Sequence, residues 1–155
     1  MFLLPEGGYV LDILTPQHTG AVTGTYISAK NMLKLYFIIQ VNNAAAATAN
    51  DFHLYKATAV AATGEVVDQT VAKWWDNHDL ATNQTLTTQT GGATFASTVA
   101  QTKQMLVLQI DPEDFPGYDC FTVKADAGGA TNFMSCLCIG VPRYAQATLP
   151  SAITD

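Results

Sequence analysis

Alternation with a period of two is the pattern that most restricts how this chain can fold. Leu33, Leu35, Phe37, Ile39 and Val41 fall on one side of an extended backbone, and Lys34, Tyr36, Ile38 and Gln40 fall on the other. A strand buries such a set on one face, whereas a helix scatters it around its axis. Leu106, Leu108 and Ile110 repeat the pattern and stop at Asp111-Pro112, where proline has no N–H to continue a ladder. Phe121, Val123 and Ala125 repeat it again before Gly128-Gly129. From Phe133 to Val141 both sides are apolar or small, with Phe133, Leu137, Ile139 and Val141 against Met134, Cys136 and Cys138. Such a strand is expected at the centre of a fold, covered above and below.

Weaker strand candidates lie at 9–14, 25–28, 52–61, 71–75 and 85–90, separated by turn residues such as Gly7-Gly8, Asn42-Asn43, Gly64 and Pro116-Gly117. Two stretches have some helical character. The alanines of 44–49 form a run too short to hold alone, and in 93–103 Thr94, Thr98 and Val99 argue equally for extended chain. The expected fold is all-β, an antiparallel β-sandwich or jelly-roll-like single domain. Its body spans 9–141, with an N-terminal arm at 1–8 and an extended C-terminal arm at 142–155 bounded by Pro142 and Pro150.

Composition narrows the function. The chain has 155 residues, enough for one domain to bury a core without a disulfide or a metal. Charged residues are 13% of it, about half the usual share. Hydrophobic residues are 48%, and 22 Ala with 20 Thr make up 42 of the 155 residues. A surface so poor in charge suits a protein whose outside is covered by neighbours. Seven cations against 13 anions give a net charge of −6, and Arg143 is the single arginine. Gripping phosphates takes clustered cations, so no nucleic-acid partner is expected. No run approaches the roughly 18 apolar residues of a membrane span. The first residues, MFLLPEGG, lack the basic start of a signal peptide. Three cysteines without an export signal point to a reduced compartment, where the sequon Asn83-Gln84-Thr85 has no meaning.

No constellation reads as a catalytic or metal site, and no cofactor is expected. Cys136 and Cys138 share one face of a strand, but with Cys120 they make three ligands where a structural zinc takes four, and their neighbours are apolar. They read as core thiols. His18, His53 and His78 are isolated, with no nucleophile motif beside them. Asp111, Glu113, Asp114 and Asp119 lie within nine residues and invite a calcium reading. They lack the ligand register of an EF-hand loop, so a solvated connection is the simpler reading. Trp74 and Trp75 face opposite sides of a strand, so one joins a core while the other meets a subunit or stacks on a sugar.

The C-terminal stretch RYAQATLPSAITD, from Arg143 to Asp155, resembles the terminal signature of a group of small virion proteins of tailed bacteriophages. Gly24-Thr25-Tyr26-Ile27-Ser28, Lys30-Asn31, Lys103-Gln104, the run Val107 to Pro112 and Gly117-Tyr118-Asp119-Cys120 are similar in the same order. The resemblance covers nearly the whole chain. It implies a capsid decoration, or cement, protein on the outer surface of the head, made in the host cytoplasm. Its implied partners are the major capsid protein and other copies of itself, as dimers or trimers, and it offers no catalytic residues. The interface residues expected on this reading are Phe2, Leu3, Leu4, Trp74, Trp75, Arg143, Tyr144, Pro150 and Ile153, with Arg143 and Tyr144 as anchors. The competing expectations are a tail, connector or head-fibre component, and a carbohydrate-binding β-sandwich that uses Trp74 or Trp75.

Overall fold

The computed structural model describes residues 7–18, 20–43, 49–99, 102–128, 132–144 and 150–154. Phe2, Leu3 and Leu4, and most of the alanine run, lie outside the described residues. In chain order the strands are β1 (Tyr9–His18), β2 (Val22–Thr23), β3 (Ile27–Ser28), β4 (Met32–Asn42), β5 (Asp51–Ala57) and β6 (Val71–Asn77). After them come β7 (Thr87–Gly92), β8 (Phe95–Ala96), β9 (Lys103–Ile110), β10 (Cys120–Ala125) and β11 (Phe133–Pro142). They build two antiparallel sheets packed against each other, the all-β sandwich expected from the alternation. One sheet has six strands in the order β1-β11-β4-β9-β6-β7. The other runs β2-β10-β5-β8, with β3 also paired to β10.

The core lies between the sheets. Leu35, Phe37 and Ile39 of β4 and Leu106, Leu108 and Ile110 of β9 meet Phe52, Leu54, Phe121 and Val123 of the facing sheet, and none is more than 1% exposed. Burying each of these side chains contributes about 1.5–3 kcal/mol. Gly24 sits where the chain ties the two sheets together. Its N–H donates to Val123 O at 2.9 Å, while the next N–H, of Thr25, donates to Ile13 O at 2.9 Å. One dipeptide therefore bonds to β10 on one side and β1 on the other. A Cβ on Gly24 would stand 2.6 Å from Ile13 Cγ2 and 2.9 Å from Ile13 O.

Two expectations are corrected. Leu33 does not join the buried row of β4. Val141 pairs with Lys34, but the next pair is Pro142 with Met32, so β4 carries one extra residue there. Pro142 has no N–H for the ladder and the register slips beside it. Met32 takes the inward place at 1% exposure, and Leu33 turns out at 45%. Secondly, β11 is not covered on both faces. It is hydrogen-bonded to β1 and β4, yet the sandwich has only two layers, so its outward Phe133 and Leu137 are each 45% exposed. Of the two readings of 93–103, the described residues take the extended one. Phe95 forms a short strand opposite Phe52 and is wholly buried, a burial that an isolated helical turn does not provide.

The outer faces of the two sheets differ. On the five-stranded sheet, Tyr26, Tyr55, Ala57 and Cys120 form a second small cluster under Val60 and Ala62, and the Tyr26 hydroxyl donates to Glu65. His53 lies there too, with Nδ1 2.9 Å from Asp68 and Nε2 3.3 Å from Asp126. The Lys124 ammonium donates to the Tyr55 hydroxyl at 3.2 Å. No comparable cover lies over the six-stranded sheet among the described residues. Its edge strand β1 loses register with β11 twice, between Asp12 and Leu14 and between Leu14 and Gln17.

Candidate functional site

The short turn between β3 and β4 collects distant parts of the chain. Ser28 pairs with Cys120 at the start of β10, and Ala29 N–H donates to Asp119 O at 2.6 Å. Lys30 Nζ lies 3.6 Å from the Asp119 carboxylate. Asn31 O accepts from Arg143 N–H at 2.8 Å, and Ala152 O accepts from Ser28 N–H at 2.6 Å. The Arg143 guanidinium reaches Glu113 at 2.7 Å. Ala152 is buried at 4% exposure, so the C-terminal segment rests on the body at that residue. On either side of this anchorage, Tyr144 is 69% and Ile153 57% exposed, and Pro150 is exposed as well. Arg143, Tyr144, Pro150 and Ile153 thus belong to one corner, held by backbone bonds at Asn31 and Ser28.

Charge in this corner is distributed rather than pooled. Asp111 lies 3.2 Å from Lys34, Glu113 bonds Arg143 and Asp119 faces Lys30. The carboxylates of the acidic loop therefore serve three different cations instead of converging on one ion. Pairs as exposed as these contribute at most about 1 kcal/mol each, so they set the course of the chain more than its stability. Among the described residues no three His, Cys, Asp or Glu side chains gather as a metal site.

The tryptophans stand apart from the corner, on β6. Trp74 turns inward and meets the buried Phe95 edge to face, with ring centroids 5.4 Å apart. Trp75 turns outward and is half-buried. The Lys73 ammonium lies 5.5 Å from its ring centroid, over the face on which a sugar would stack.

A polar network that sequence reasoning missed surrounds His78. Its Nε2 lies 3.0 Å from Asp76, itself buried, and its Nδ1 lies 2.9 Å from Gln104 Oε1. An aspartate and a histidine at this distance are two parts of a nucleophilic triad. Here the ring nitrogen that a hydroxyl would need faces Gln104. The same Gln104 bonds both Thr98 N–H and Thr98 O, and Asn77 Nδ2 bonds the carbonyls of Asn83 and Thr85. The network fastens the segments around β6 and β9. Two open clefts, of about 290 and 310 Å³, have neither histidine nor cysteine among their described lining residues.

The three cysteines are buried, and none forms a disulfide. Burial pushes the Cys136 thiol well above its usual range, with Cys138 beside it adding to the effect, and burial raises Cys138 too. Since the thiolate is the reactive form, and Cys120 is closed to solvent by burial, iodoacetamide at mildly alkaline pH is expected to leave all three unmodified in the folded protein. In denaturant each is expected to take one alkyl group. Stoichiometric labelling of the native protein, read by mass spectrometry, would show that the core is open to solvent.

Comparison with protein-family models, with curated proteins and with solved structures gives no match for this chain.

Proposed function

We propose that this chain is a capsid decoration protein of a tailed bacteriophage, bound to the outer surface of the head and bracing it against the pressure of packaged DNA. Its partners on this reading are the major capsid protein and other copies of itself. The observation that carries the reading is the corner at the β3–β4 turn. Ser28 and Asn31, Cys120, and Arg143 and Ala152, drawn from three of the stretches that carry the resemblance to small virion proteins, are far apart in sequence and meet there through backbone bonds. They leave Tyr144 and Ile153 exposed on an anchored segment. An apolar and aromatic pair held in place loses little conformational freedom on docking. Many copies on one shell then add weak contacts into a firm one, because each bound copy favours simultaneous engagement of its neighbours. The effect on the head is mechanical: adjacent capsid subunits must part from the clamp before they part from each other.

The test adds purified protein to capsids that lack it and counts copies on the outer surface in a density map. Tyr144→Ala and Ile153→Asp are each expected to weaken binding about tenfold, as loss of an interface anchor does, while the thermal melt stays where it was. Point variants serve better than truncation, since removing the whole segment also removes the buried Ala152. Capsids that take up no protein, or protein found only on tails, would overturn the reading.

A further inference from the structure

Asp12, Leu137, Ile38, Val107, Trp75 and Thr88 are register neighbours on the six successive strands of the larger sheet. They lie on the side away from the core: their neighbours along β1, β11, β4 and β9, and Trp74 on β6, are inward, and Thr88 pairs with Trp75. Val10 and Ile139 form the start of the adjoining row. This is an apolar band open to solvent among the described residues: Val10 is 52% exposed, and Leu137 and Phe133 are 45% exposed. Its ends carry opposite charges. The carboxylate of Asp12 stands at the β1 end, and the Lys73 ammonium leans over Trp75 at the β6 end. The outer face of the other sheet is occupied by its own aromatic cluster and by His53, Asp68, Asp126 and Lys124.

We infer that this band is the contact between two copies of the chain, packed sheet on sheet about a two-fold axis that runs along β4. A face with an acid at one end and a base at the other complements itself, but only in one orientation. An axis lying across the strands sets β1 over β1 and brings each Asp12 against its own copy. An axis along β4, the third of the five strands from β1 to β6, lays β1 over β6. Each Asp12 then meets Lys73 from the other copy, Ile38 packs on its own counterpart, and each Leu137 packs on Val107 of the other copy. Such isologous contacts are the commonest in soluble assemblies, and aligned sheets pack at about 30°. The five overlapping strands, about 4.8 Å apart and each contributing six residues about 3.4 Å long, give a face of roughly 500 Å² in projection. That is the scale of the ~800 Å² per partner of a stable interface. The inference gives the self-association within the proposed function a surface. Its test uses free protein without a shell, so docking on capsids can fail while this contact stands.

The experiment is sedimentation equilibrium of the full chain with a far-UV circular dichroism check on every variant. The wild type is expected at twice the 16.6 kDa chain mass. Leu137→Glu, which changes an exposed position, is expected to raise the dimer Kd about a hundredfold with its fold retained. Asp12→Lys and Lys73→Asp are each expected to raise it about tenfold at low salt, and the double reversal to restore it. A wild type that stays monomeric or forms trimers overturns the inference, as does a dimer indifferent to Leu137→Glu. A double reversal no tighter than either single change overturns the axis along β4.

Discussion

Gly24→Ala is expected to destabilise the protein by about 3 kcal/mol, the upper part of the range for overpacking a tight site. For a chain of this length that lowers the melting midpoint by roughly 6–12 °C. The cause is the double attachment at this residue. Gly24 N–H is bonded to β10 and Thr25 N–H to β1, so the backbone cannot draw back from one sheet without losing a bond to the other. The added methyl meets Ile13 O at 2.9 Å and Thr122 Oγ1 at 2.9 Å, and a carbonyl in a ladder has no rotamer to escape into. Gly20→Ala is the matched control, since nothing lies within 4 Å of a Cβ there. Calorimetry compares the two. Equal melting points would mean that the sheets do not close on each other at Gly24.

The second large effect separates two residues that alternation alone puts together. Phe37→Ala is expected to cost about 4 kcal/mol, because a fully buried ring leaves a cavity that the packed sheets cannot fill. Leu33→Ala, on the same strand and in the same period-two row of the sequence, is expected to cost less than about 1 kcal/mol. The bulge opposite Pro142 has already turned Leu33 outward. Urea denaturation measures both. A Leu33→Ala loss approaching that of Phe37→Ala would place Leu33 in the core and remove the bulge.

These two residues also show what the sequence makes legible and where it stops. The rows from Leu35 to Val41 and Leu106 to Ile110 are strands buried on one face because two-residue periodicity has one geometric solution against a core. Phe121, Val123 and Ala125 face the core in the same way, although Cys120 and Thr122 on the other side of their strand are buried too. The outward and inward turns of Trp75 and Trp74 follow from the same rule. Bulges do not announce themselves in a pattern of side chains. Leu33 and the extension of β1 to His18 depend on how two ladders fail to match, a property of pairs of strands. The apolar residues on both sides of β11 carried a true signal that the two-layer fold changes in meaning. The second face is covered by nothing within the described chain and becomes a surface. For the corner at the β3–β4 turn, the sequence supplies the exposed Tyr144 and Ile153. That Arg143 and Ala152 are tied to Asn31 and Ser28 emerges only from the folded chain. His78 was legible as an isolated histidine, while its partners Asp76 and Gln104 come from β6 and β9 and meet only when those strands pair.

The irregular edge of the six-stranded sheet has a consequence for growth. A straight, unpaired edge strand is a template on which further chains can add without limit. In β1 the two slips of register and Pro16 interrupt that template within ten residues. At the far edge, β7 offers only Thr, Gln and Gly. A face that pairs once about a two-fold axis is used up by the pairing, whereas an edge is renewed by every addition. The bulged edge therefore guards a protein with this much exposed apolar surface against running on into fibres at high concentration.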